Sequence, residues 1–80
     1  MIEIDARGLI CPLPVLRLRK VLMDQPPGKP VALIATDAMA TIDVPHFCAE
    51  TGHELITATA LECGATRFEV QRPPEGTGGN

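Results

Sequence analysis

One cysteine in this chain stands where its sulfur can react. In the stretch GLICPLPVLRLRKVL, Gly8 to Leu22, Cys11 directly precedes Pro12, and Pro14 follows two residues later. Proline breaks helix interiors but suits a first turn, and the run from Val15 onward reads helical, so both prolines belong at a helix mouth. A residue before proline is pushed out of the α region into the extended geometry that an N-cap adopts. The spacing therefore predicts Cys11 at the N-cap, Pro12 at N1 and Pro14 at N3, with the Leu13 N–H aimed at the sulfur. A thiolate so placed meets the positive end of the helix dipole, which can lower a thiol from about 8.5 to roughly 3.5–7.5. Arg7 adds to that effect if the fold brings it near the sulfur. The expected product is a rigidly aimed, partly ionised, accessible nucleophile; the competing reading is a small buried hydrophobe beside two helix-start prolines. Pro14 also biases Leu13 away from helical angles, a local cost that simple helix-making avoids. That cost suggests that Pro14 serves recognition of a partner and not stability.

The other chemistry-bearing residues carry less. Cys48 follows Phe47 inside a helical pattern and reads as core, while Cys63, beside Gly64 at a turn, reads as exposed. His46, Cys48 and His53 lack the paired spacing of a metal site. Asp37, Thr41 and Asp43 are candidate helix caps, and none of them is nominated for catalysis.

The elements that must position Cys11 follow from periodicity. Ile2 and Ile4 alternate with Glu3 and Asp5, which predicts a short strand with one covered face. The Cys11 helix runs to about Asp24, with Val15, Leu18, Val21 and Leu22 on one face and Arg17, Lys20 and Asp24 on the other. QPPGKP is a loop, and VALIA, Val31 to Ala35, has the unbroken apolar character of a central strand. A second helix follows, with Pro45 in its first turn or at a kink and Gly52 as its stop. Two more strands, about Glu54 to Glu62 and Ala65 to Arg72, flank Cys63-Gly64, which has the spacing of a tight hairpin. The order βαβαββ implies an α+β fold, a two-layer sandwich with both helices on one face of a small four-stranded mixed sheet. Residues 1–72 form a single domain, and 73–80, rich in proline and glycine, a disordered tail.

Eighty residues leave little volume for both a core and an enclosed pocket, so any chemistry belongs on the surface. No apolar run approaches a membrane span, and the acidic start MIEID lacks the positive region of a secretory signal; a cytoplasmic protein with reduced thiols is expected. The net charge of −3 is uneven: residues 1–40 hold five basic and four acidic side chains, residues 41–80 two and six. The surplus of base surrounds the Cys11 helix. With no Trp or Tyr and only two Phe, the stacking platforms of nucleic-acid binders are missing, which counts against direct nucleic-acid binding.

GLICPLPV, Arg19-Lys20 and then TDAMATIDVPHFCAETGHEL resemble the TusA/SirA family of sulfur carriers, whose mark is a Cys-Pro-x-Pro motif at the start of the first helix. The resemblance runs from about residue 2 to residue 72 and includes Gly8-Leu9 and Asp43-x-Pro45-x-Phe47-Cys48. One departure is Ala38, where many relatives have proline. The resemblance implies the same βαβαββ sandwich. It implies a sulfurtransferase acting by protein-to-protein relay, with Cys11 holding sulfane sulfur as a persulfide. The donor would be a cysteine desulfurase or rhodanese, the recipient a cysteine-bearing acceptor protein, and no metal or cofactor is needed. Arg17, Arg19 and Lys20 would form a docking face for acidic partners. The sulfur's destination, whether tRNA 2-thiolation, molybdenum cofactor synthesis or sulfur oxidation, is left open. The alternatives are a small regulatory or nucleic-acid-associated module, and a redox-sensing thiol protein that needs Cys48 or Cys63 near Cys11.

Overall fold

The computed structural model describes residues 2–73. The tail expected over 73–80 lies outside the described residues apart from Pro73. Six elements follow in order: β1 (Ile2–Ala6), α1 (Leu13–Asp24), β2 (Val31–Ala35), α2 (Ala40–Thr51), β3 (Glu54–Ala60) and β4 (Thr66–Gln71). The sheet order is β1-β2-β4-β3, with β1 and β2 parallel and the other two pairings antiparallel. The α+β sandwich expected from the sequence is the observed architecture.

VALIA is central because its side chains are apolar on both faces, and Val31, Ala32, Leu33 and Ala35 are all buried. Register sets Leu33 between Ile4 and Phe68, and Val31 between Ile2 and Val70, which makes one apolar face. On it pack Pro14, Leu18 and Leu22 of α1, spaced by four, and Val44, Phe47 and Cys48 of α2. The opposite face is polar, and there Arg67 bonds Glu3 at 3.3 Å and also pairs with Glu69.

One local expectation is corrected, and two that the sequence left open are narrowed. The hairpin is not a two-residue turn: the Leu61 N–H donates to the Ala65 carbonyl at 2.8 Å, leaving Glu62, Cys63 and Gly64 between them. Gly64, at φ 80°, takes the left-handed closing position of such a three-residue loop, where a Cβ is disfavoured. Pro45 lies in the helix interior and not in the first turn. It can supply no N–H to the Thr41 carbonyl one turn back. Among the three candidate caps of α2, only Asp37 bonds a free amide at the start: its Oδ1 accepts from the Met39 N–H at 3.1 Å. Gly52 does end α2 in the left-handed region, its N–H on the Cys48 carbonyl at 3.0 Å.

Candidate functional site

Because β1 and β2 are parallel neighbours, the loops leaving their C-terminal ends lie side by side, and side chains of one satisfy amides of the other. Gly8, in the left-handed region at φ 82°, turns the chain out of β1. Its N–H donates to Thr36 Oγ1 at 2.9 Å, just beyond β2. Three residues on, the Cys11 N–H donates to Asp37 Oδ2 at 2.6 Å. Asp37 thus holds the Cys11 loop with one carboxylate oxygen and the start of α2 with the other.

The sulfur itself is exposed and points to α2, where Sγ donates to Asp43 Oδ2 at 2.7 Å. Cys11, Pro12 and Val15 on one side and Asp43, His46, Phe47 and Glu50 on the other line an open groove of about 240 Å³. Near it in sequence, Ile10 and Leu13 flank Cys11-Pro12 and Met39 and Ile42 precede Asp43, and all four side chains are exposed.

This geometry revises the expectations for the helix mouth. Pro12, at φ −99° and ψ 15°, takes the N-cap place, and Leu13 and Pro14 are the first two helical residues. The Cys11–Pro12 peptide is cis. Leu13 N–H donates to the Ile10 carbonyl at 2.9 Å and not to the sulfur. A carbonyl is a far better acceptor than a thiol sulfur, so the amide closes a backbone turn instead. Pro14, at N2, still gives up only an orphan N–H, but its ring is fully buried in the core, out of a partner's reach. Arg7 is committed to Asp5 at 2.8 Å. The electrostatics are therefore opposite to those expected. The hydrogen bond to Asp43, with partial desolvation and the negative charges of Asp43 and Asp37, pushes the Cys11 thiol up. The resting site is a protonated thiol against a carboxylate.

Of the remaining candidates only His46 lines the groove, and none of them bonds the sulfur. Cys48 is 4% exposed and its burial pushes its thiol up. Cys63 is exposed on the β3–β4 turn. His46 pairs with Glu50 at 3.3 Å, while His53 stacks on Phe47 with ring centroids 5.3 Å apart. Arg17, Arg19 and Lys20 are exposed on α1 but line no part of the Cys11 groove. Asp37 and Asp43, read from sequence only as caps, are the residues that the structure adds. The signal that finds them is the parallel pairing of β1 with β2, which brings Thr36-Asp37 against Gly8–Cys11.

Residues 2–72 match the family model described as sulfurtransferase TusA. The chain belongs to the TusA family. It is 45% identical over 60 residues to a sulfur carrier protein TusA of Pseudomonas syringae pv. syringae, covering 75% of this chain and 71% of that one. It is 37% identical over 71 residues to a putative sulfur carrier protein of Archaeoglobus fulgidus, covering 89% and 92%. The TusA-family fold is matched by the crystal structure of a SirA-like protein from Desulfitobacterium hafniense. That pair has a TM-score of 0.81 and 23% identity, over 91% of this chain and 99% of that one. No helix among the described residues is long and apolar enough to cross a membrane.

Proposed function

We propose that this chain is a sulfur carrier that holds sulfane sulfur on Cys11 and relays it between proteins. What supports the reading is an exposed free sulfur fixed at the ends of the two parallel strands, in a chain of a sulfurtransferase family. The Cys11 sulfur attacks the outer sulfur of a donor persulfide, a new S–S bond forms, the donor's own S–S bond breaks, and the donor cysteine leaves as thiol. The acceptor's cysteine then takes the outer sulfur from Cys11 in the same way, so each transfer is without net oxidation. The donor is a cysteine desulfurase or a rhodanese and the acceptor a cysteine-bearing protein. The sulfur goes on to tRNA 2-thiolation, molybdenum cofactor synthesis or sulfur oxidation. A thiol on an open surface, and not in a pocket, suits delivery inside a docked complex.

The test is mass spectrometry after incubation with a cysteine desulfurase and cysteine. Cys11→Ser should gain no sulfur, while Cys63→Ser and Cys48→Ala should gain one atom as the parent does. Loading that survives loss of Cys11 sinks the assignment.

The exposed Arg17, Arg19 and Lys20 serve as a docking face for an acidic partner surface. Charges of this kind act mainly on the association rate and fade with salt. Combining Arg17→Glu with Lys20→Glu should slow loading from the protein donor roughly tenfold at low ionic strength, with the difference shrinking in high salt. Equal loading rates at low salt would remove this face from the docking surface.

A further inference from the structure

The bond between Cys11 and Asp43 does more than place the sulfur. Only a protonated thiol donates, so at 2.7 Å from Asp43 Oδ2 the pair holds one proton and one negative charge. To attack a donor's outer sulfur, Sγ must lose that proton. A thiolate left facing the carboxylate would set two anions side by side, which their repulsion opposes. The proton must therefore leave as the new S–S bond forms, and the acceptor already bonded to it is Asp43.

We propose that Asp43 is a catalytic residue of sulfur transfer, taking the Cys11 proton during attack and returning it to the departing donor sulfur. The inference rests on the carrier reading and deepens it. The balance closes within the site: the Cys11 S–H and the donor S–S bond break, a Cys11 S–S bond and a donor S–H bond form, and Asp43 ends as it began. The charged and titratable groups around Sγ are consistent with this assignment. From α2 come Asp43, His46 and Glu50, and from the loop after β2 comes Asp37, whose oxygens are occupied by the Cys11 and Met39 amides. His46 is turned to Glu50, and the cations of α1 are outside the groove.

Asp43→Asn keeps the shape and removes the base, and two rates then separate. Alkylation by iodoacetamide needs only thiolate, because iodide departs without a proton. Loss of the carboxylate lowers the thiol pKa, and each tenfold gain in thiolate fraction, less the accompanying loss in nucleophilicity, speeds alkylation about threefold near neutral pH. Sulfur uptake from cysteine persulfide, a donor too small to report on protein docking, should instead fall about 100-fold. Asp43→Glu should recover part of the uptake. Uptake that rises with alkylation, or stays level, means that the carboxylate only suppresses the thiolate and overturns the assignment. Unchanged alkylation overturns it too, as does a joint fall in both rates, which would make Asp43 structural. Absence of sulfur on Cys11 in the unsubstituted protein overturns the carrier reading and this assignment with it. Sulfur on Cys11 at equal rates in both proteins overturns this assignment alone.

Discussion

Pro14 lies beside the Cys11 motif in sequence but serves the core. Its ring is in the core with Leu18 and Leu22, yet it also sits three residues from the exposed Cys11. Pro14→Ala removes two buried carbons, at about 0.8 kcal/mol each, and restores backbone freedom to the unfolded chain worth roughly 0.4–1 kcal/mol. The sum is about 2 kcal/mol, or a fall of about 10 °C in Tm for a domain of this size, which a thermal melt reads directly. Persulfide loading of the folded fraction should be unchanged, because the Cys11 contacts to Asp37 and Asp43 do not involve the ring. A variant that melts with the parent would mean that the site collapses without loss, and that the proline is kept for another reason.

Among the elements, the two loops at the C-terminal ends of β1 and β2 behave as one unit because a single carboxylate satisfies an amide in each. Asp37→Ala leaves both the Cys11 and Met39 amides without that acceptor, and by analogy with helix caps each loss costs about 1 kcal/mol. The expected result is a fall in stability of about 2 kcal/mol, with hydrogen exchange quickened at both amides and little changed in β4. Faster exchange at Met39 alone would separate the loops. These contacts also mark what was readable in advance. Gly52, the Leu18–Leu22 stripe and the central VALIA strand are written in neighbouring residues, where a period or a stop signal is enough. The bonds that make the site join residues 26 and 32 positions apart, and they exist only once β1 lies beside β2. The prolines therefore single out the thiol, while a reading from them alone gives its electrostatic setting the wrong sign. A helix-end argument has no way to include a carboxylate from a second helix.

At the scale of the whole molecule, the chain separates stability from reactivity by layer. The helices bury one sheet face, the Arg67 pairs with Glu3 and Glu69 occupy the other, and the sulfur is left at the edge where two strands end. The six-element order was legible from its periodicities and turn signals. The place of β4 between β2 and β3 was not, because strand order is decided by which apolar faces complete one core. Cys48 belongs to the interior of that core, on the same helix as Asp43 and within two turns of it. Its buried sulfur meets a water-soluble reagent only when α2 lifts from the sheet, so the slow step in labelling it is the opening of that helix. The protein thus contains its own clock: the labelling rate of the buried cysteine reports how often the carboxylate beside the exposed one swings away.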